Sequence, residues 1–272
     1  MPESNEPIIR LEGLCKRFNG LTVLDNLTLE IDRARTTVII GPSGCGKTVL
    51  LKHLVGLLRP DSGKVFFDGV DITHMSEAAL APIRGRMGFL FQSNALFDSM
   101  TVAENIHFPL IERGVRSPEQ LATRCREVLR LVGLDGLQQR YPEELSGGQQ
   151  KRVALARAIS LKPEVILYDE PTTGLDPIRA DLINELILKL QAELQTTALV
   201  VTHDMRSACK VADRIIMLYD GRVLADTTPD GLTDIEDETV SRFVEGRATV
   251  EELNELTHGS ATQGSDDERT DA

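Results

Sequence analysis

The run GPSGCGKT, residues 41–48, constrains this chain more than any other stretch. It follows TTVIIG (36–41), a β-branched run ending in glycine, and opens KTVLLKHLVGLL (47–58), whose apolar residues recur at helical spacing. A loop of the form GxxxxGK[ST] between a strand and a helix curls until successive N–H groups point at one anion, and the helix N-terminus adds its partial positive charge. Gly41, Gly44 and Gly46 permit that curl, with Pro42, Ser43 and Cys45 completing the loop. Lys47 is then placed to reach the β- and γ-phosphates of a nucleotide, and the Thr48 hydroxyl to ligate Mg2+. Cys45 reads as filler in this loop and not as a nucleophile.

Such a loop needs a parallel sheet behind it, and the rest of the chain supplies the pattern. IIRLEG (8–13), TVLDNLTLEI (22–31), KVFFDG (64–69), MGFLF (87–91), VILYDE (165–170), ALVVTH (198–203) and RIIMLYD (214–220) read as strands. Helical segments at 178–193 and 205–211 separate the last three, which implies parallel strands with crossover helices. Between about 101 and 160 the pattern is helical, so an α/β core is interrupted by a helical insertion. Beyond Asp230 the signal fades: DETVSRFVEG and VEELNEL each read as a short helix, and HGSATQGSDDERTDA is polar and low in apolar residues, as disordered segments are.

Three further stretches carry chemistry. VILYDE ends a buried strand with Asp169, suited to the Mg2+ shell, and Glu170, suited to polarising an attacking water. A carboxylate pair there could be a charged strand end, but a phosphate loop in the same chain favours the site. His203 ends ALVVTH; a lone histidine is commonly structural, yet the carboxyl end of a parallel strand is where open α/β sheets bind ligands. LSGGQQKR (145–152) sets Ser146, Gly147, Gly148 and Gln149 before the helical run RVALARAI, a second helix start suited to an anion.

Composition narrows the partners. The net charge of −12 is concentrated: from Pro229 onward 13 Asp/Glu face 3 Arg, leaving the remainder nearly neutral. An acidic end without a basic face argues against nucleic acid, which needs clustered Lys/Arg. Cys15, Cys45, Cys125 and Cys209 form no CxxC pair and suggest a reducing compartment. No secretory signal and no run of 18 or more apolar residues is visible, so any membrane span is expected from another chain.

Taken in order, GPSGCGKT, Gln92, LSGGQ, VILYDE, TGLD and His203 resemble the nucleotide-binding subunit of ABC transporters, from about Ile8 to Val244. The resemblance implies a P-loop NTPase of ABC type: a mainly parallel core sheet, an antiparallel β subdomain and the helical insertion, spanning 7–245, with 246–272 an acidic extension. It implies ATP and Mg2+ as ligands and a head-to-tail homodimer, so that Ser146, Gly147, Gly148 and Gln149 contact the nucleotide held by the partner. Phe18 is then either the aromatic that stacks on adenine or a core residue. Gln92 contacts metal and attacking water, Glu170 is the general base, His203 the switch residue at the γ-phosphate, and Leu175 and Asp176 cross the dimer interface.

The resemblance also accounts for FLFQSNALFDSMTV (89–102), which sets apolar residues in a loop. There Ala95, Leu96, Phe97 and Met100 would receive a helix from transmembrane permease subunits, placing the chain at the cytoplasmic face of the inner membrane; exposed apolar patches commonly mark binding sites. FQSNALFDSMTVAENIHFPL with YDEPTTGLDPI resembles the ATPases of Mla-type and other MCE-linked phospholipid transporters, which implies an MCE-domain protein in the same complex. SN where that group commonly has SG, and LSGGQ where it often has LSGGM, leave a polar amino acid or methionine importer open. A soluble ABC ATPase without a transport role is the alternative of another class. Residues 237–257 are expected to reach the neighbouring ATPase subunit, as an extension in the Mla group can.

Overall fold

The computed structural model describes residues 6–248, and the chain divides after Leu232 into two compact units. The first is built on two sheets. In the larger, β3 (Thr36–Ile40), β6 (Met87–Leu90), β7 (Val165–Asp169), β8 (Thr197–Val201) and β9 (Arg214–Tyr219) run parallel, and β10 (Arg222–Thr227) pairs antiparallel with β9. The order is β10-β9-β3-β8-β7-β6. Every residue of β3, β7 and β8 is buried. Helices cover both faces of a parallel sheet, so its central strands read as unbroken apolar or β-branched runs.

The smaller sheet is antiparallel, in the order β2-β1-β4-β5, from β1 (Ile9–Phe18), β2 (Leu21–Ile31), β4 (Ser62–Phe67) and β5 (Val70–Asp71). Its inner face shares one core with α1 (Lys47–Leu54) and the parallel strands: Ile9, Leu11, Leu24 and Leu27 pack in the cluster that holds Leu50, Leu51, Leu167 and Val201. This fixes the helix behind the phosphate loop from both sides.

The expected helical insertion is α3 (Val102–Glu112), α4 (Pro118–Leu131) and α5 (Gly147–Ile159). Local chemistry starts each helix. Thr101 and Glu104 form a capping box for α3, Ser117 caps α4 with Pro118 in its first turn, and Ser146 and Gln149 form a capping box for α5. The crossover helices are α6 (Pro177–Leu194) and α7 (Met205–Val211), both capped by aspartate.

Some boundaries differ from the sequence reading. The helix expected over 47–58 stops at Leu54, because Gly56 takes φ 66° and turns the chain back, its N–H donating to the His53 carbonyl. Three elements carried too weak a pattern to be read: β5, only two residues long, β10, short and half exposed, and α2 (Glu77–Arg84), whose internal Pro82 looks like a breaker. In the second unit, α8 (Glu238–Glu245) is capped by Asp237 and ended by Gly246 at φ 66°. VEELNEL and the acidic end lie outside the described residues, as does the later part of the 237–257 segment.

Candidate functional site

Because β3, β6, β7 and β8 are parallel, their carboxyl ends share one edge of the sheet, and a cavity of about 300 Å3 opens there. Its walls come from the loop after β3 (Ser43, Gly44, Gly46), from Lys47, Thr48 and Val49 of α1, and from Gln92, Glu170 and His203 beyond β6, β7 and β8. Val23, at the start of β2, closes the remaining side. Residues far apart in the chain thus meet at one place, as ligand sites in open α/β sheets do.

The loop's shape requires its glycines. A side chain at Gly41 would put Cβ 2.2 Å from the Leu218 carbonyl oxygen, and one at Gly46, at φ 104°, would sit 2.9 Å from the Val23 carbonyl oxygen. Lys47 is buried, and its Nζ donates to the carbonyls of Gly41 (2.6 Å) and Pro42 (3.0 Å), with Cys45 Sγ at 4.0 Å. Among the described residues this ammonium has no carboxylate in ion-pair contact, so an anion entering the cradle meets an uncompensated charge. Burial also raises the Cys45 thiol pKa, which agrees with an unreactive filler.

The two carboxylates differ in surroundings. Asp169 accepts from Thr48 Oγ1 at 3.1 Å. Burial pushes its pKa up, the Thr48 hydrogen bond acts against that, and the neighbouring Glu170 charge adds to it. Glu170 stands at φ 49°, and its Oε2 receives Thr173 Oγ1 (3.2 Å) and Thr202 Oγ1 (3.3 Å), with His203 Nδ1 at 3.0 Å. Three groups therefore hold one oxygen while the other stays available. Thr173 and Thr202 were missed from sequence, since a lone threonine carries no pattern; their places beside Glu170 and His203 were the only signal.

A hydroxyl and a carboxylate in contact, with Gln92 in the same cavity, suit a Mg2+ ion that takes its remaining ligands from water and phosphate. No cluster of three or more His, Cys, Asp or Glu that could hold a metal ion occurs among the described residues.

Other expected residues lie elsewhere. Phe18, at the end of β1, is 40% exposed with Lys16 Nζ 5.4 Å from its ring centroid, outside the cavity wall. Ser146 and Gly147 are exposed and Gly148 and Gln149 half-buried at the start of α5, also outside it. Ala95, Leu96, Phe97 and Met100 form a structured loop. Arg157 of α5 donates to the Asn94 carbonyl (2.9 Å) and the Ala95 carbonyl (2.6 Å), while buried Asn105 of α3 binds Phe97 N–H (2.9 Å) and the carbonyls of Phe97 and Met100 (both 3.1 Å). Phe97 meets Phe108 at 4.9 Å, and with Ile111 they form an exposed apolar strip that the sequence reading found only in part.

Fold and cavity together define a phosphate-loop nucleotide-binding protein of the α/β class. Residues 24–173 match the ABC transporter family, and the chain belongs to it. It is 40% identical over 245 residues to the intermembrane phospholipid transport system ATP-binding protein MlaF of Haemophilus influenzae, covering 90% of this chain and 92% of that one. It is 42% identical over 236 residues to the sulfate/thiosulfate import ATP-binding protein CysA 2 of Chromobacterium violaceum, covering 87% and 62%. Among solved structures, the dimeric post-hydrolysis state of the ATP-binding cassette MJ0796 bound to ADP and Pi has a TM-score of 0.75 at 35% identity, covering 81% of this chain and 98% of that one. The protein is thus an ATP-binding subunit of an ABC transporter, whose ATP hydrolysis drives transport. No helix among the described residues is long and apolar enough to cross a membrane.

Proposed function

We propose that this subunit powers phospholipid transport between membranes, working as a homodimer beneath an MlaE-like permease with an MCE-domain protein in the same complex. The observation that carries the catalytic half is the single cavity holding Lys47, Thr48, Gln92, Glu170 and His203. Support for the lipid half is the docking stretch FQSNALFDSMTV together with the similarity to MlaF. Comparable identity to a sulfate importer keeps the importer reading as the alternative.

In this reading the glycine loop Gly41–Gly46 wraps the phosphates with its N–H groups, and Lys47 exchanges its two loop carbonyls for β- and γ-phosphate oxygens. Phe18 stacks on the adenine from the end of β1. Thr48 and Asp169, with Gln92, would hold the Mg2+ ion, which would neutralise charge developing on the phosphates. Glu170 receives the proton of the attacking water on its free oxygen, while Thr173, Thr202 and His203 fix its orientation. His203 also reaches the γ-phosphate. Ser146, Gly147, Gly148 and Gln149 serve the nucleotide of the partner subunit, with Leu175 and Asp176 at the contact between subunits.

The Phe97, Phe108 and Ile111 strip, with Ala95, Leu96 and Met100, receives the permease on the cytoplasmic face of the inner membrane. The loop begins three residues past Gln92, so docking and the nucleotide site are joined through the backbone. The test is capture of the tagged chain from detergent-solubilised membranes of its own organism, with mass spectrometry of what accompanies it. An MlaE-like permease and an MCE protein are expected; a permease of the amino-acid or sulfate type would overturn the lipid reading and leave the ATPase mechanism intact.

A further inference from the structure

Lys151 takes no part in the mechanism above, yet it is a buried cation. It lies on α5, shortly after the glycines at the helix start, and is only 3% exposed. Burying an ammonium is costly unless its donors are met. Among the described residues its nearest acceptors are two main-chain carbonyls, Glu170 at 3.4 Å and Thr173 at 3.5 Å. Burial pushes its pKa down, and the charge of Glu170 acts in the opposite direction.

Those two carbonyls bound one turn. Glu170 enters it at φ 49°, and Thr173 N–H donates back to the Glu170 carbonyl at 3.3 Å. The same Thr173 donates its hydroxyl to Glu170 Oε2. The ammonium therefore holds both ends of the turn that sets the direction of the Glu170 carboxylate. A shift of this turn moves the carboxylate, its threonine and its backbone together, whereas the phosphate loop, carried by β3 and α1, does not touch Lys151.

We propose that Lys151 is a positioning residue for hydrolysis, clamping the Glu170–Thr173 turn onto α5 so that the carboxylate faces the γ-phosphate only when that helix is in place. The inference rests on Glu170 being the general base. Since α5 also begins with the residues offered to the partner's nucleotide, one ammonium joins a subunit's own water-activating carboxylate to the helix it presents across the dimer.

The test is a double-mutant cycle in the full-length protein, with ATP turnover followed by release of radiolabelled phosphate and folding checked by thermal melting. Lys151→Met, which keeps the stem and removes the ammonium, is expected to lower kcat on the order of 10- to 100-fold, the cost of a small misplacement of a reacting group. KM for ATP should stay within about twofold, because ground-state nucleotide binding is untouched. In a Glu170→Gln background the same change should cost less than about twofold, because its target is already gone. If Lys151→Met fails to fold, Lys151→Leu, which likewise removes every N–H donor, is read by the same criteria. A kcat near that of the parent, a raised KM at unchanged kcat, or a full additional loss on top of Glu170→Gln would overturn the inference while leaving the base assignment standing. A Glu170→Gln protein that turns over at the parental rate would overturn both.

Discussion

Replacing Asn105 by alanine tests whether the docking loop is a built surface or merely an exposed stretch of chain. Asn105 is fully buried on α3 and its amide faces the loop: Oδ1 accepts from Phe97 N–H at 2.9 Å, and Nδ2 lies 3.1 Å from each of the Phe97, Met100 and Thr101 carbonyls. An amide nitrogen has two protons, so three good hydrogen bonds is the most this arrangement supports. Thr101 already accepts from Asn105 N–H within the helix and loses least. At about 1 kcal/mol for each bond, and somewhat more where a buried group is left unpaired, the loss comes to about 2–4 kcal/mol. For a chain of this size that corresponds to a fall in Tm of roughly 5–15 °C. Scanning calorimetry of the purified protein reads it, and limited proteolysis should show faster cleavage within 93–100. Nucleotide affinity should hold, because Asn105 is no part of the cavity wall. A Tm unchanged to within roughly 2 °C would mean that the loop keeps its shape without Asn105, and the scaffold argument would be wrong.

Lys47→Ala should weaken ATP binding roughly 10- to 150-fold, the worth of one charge-assisted contact to phosphate; titration with a fluorescent ATP analogue measures it, and undiminished affinity would contradict the phosphate-loop assignment. Asp169→Asn should raise the Tm of the nucleotide-free protein at pH 7 and abolish the stabilisation given by Mg-ATP. The sign follows from the direction of the shift: burial raises the Asp169 pKa, so the stability tied to its protonated form is present below the unfolded carboxylate pKa of about 3.9 and is lost as pH rises through the folded value. The gain from asparagine should accordingly fade toward pH 4 and below, and a gain that persists there would exclude ionisation as its cause. Phe97→Asp, which puts a charge in the strip shared with Phe108 and Ile111, should abolish capture of the permease from solubilised membranes; capture at the parental level would place the docking surface elsewhere.

The phosphate loop and the carboxylate strand could be read from sequence because each is local. Gly41, Gly44, Gly46 and Lys47 stand within eight residues, Lys47 donating to Gly41 and Pro42 of its own loop, and Asp169 and Glu170 follow a strand whose burial shows as an apolar run. Thr202 could not be read in this way, because its contact with Glu170 Oε2 exists only through the packing of β7 beside β8, and Thr173, three residues on from Glu170, reaches the same oxygen only through the turn that Glu170 opens at φ 49°. Arg157 is a sharper case. On α5 it looks like an ordinary helix former, and its bonds to the Asn94 and Ala95 carbonyls cross 63 and 62 positions of chain. The carbonyls themselves are presented by a local oddity, since Asn94 and Ala95 both take positive φ, at 63° and 48°. Alanine there is costly without a compensating contact, and the guanidinium supplies one that no periodicity announces.

Arg157, Lys151 and Ser146 share a helix, and that bears on how such a subunit can transmit force. Ser146 begins α5 where the partner's nucleotide is proposed to sit, Lys151 lies under the Glu170 turn, and Arg157 grips the loop proposed to meet the permease. At 3.6 residues per turn Lys151 and Arg157 leave the helix roughly 120° apart, so they reach different neighbours without competing. A helix is stiff along its axis, whereas a loop such as 92–94 can absorb strain by changing a few dihedrals. Displacement of the proposed docking loop would therefore have a rigid route through Arg157 to both proposed nucleotide sites, beside the softer backbone route through Gln92. Coupling through packed elements of this kind requires that the element have two resting positions, and α5 is a rod whose ends and middle would all report which of the two it occupies.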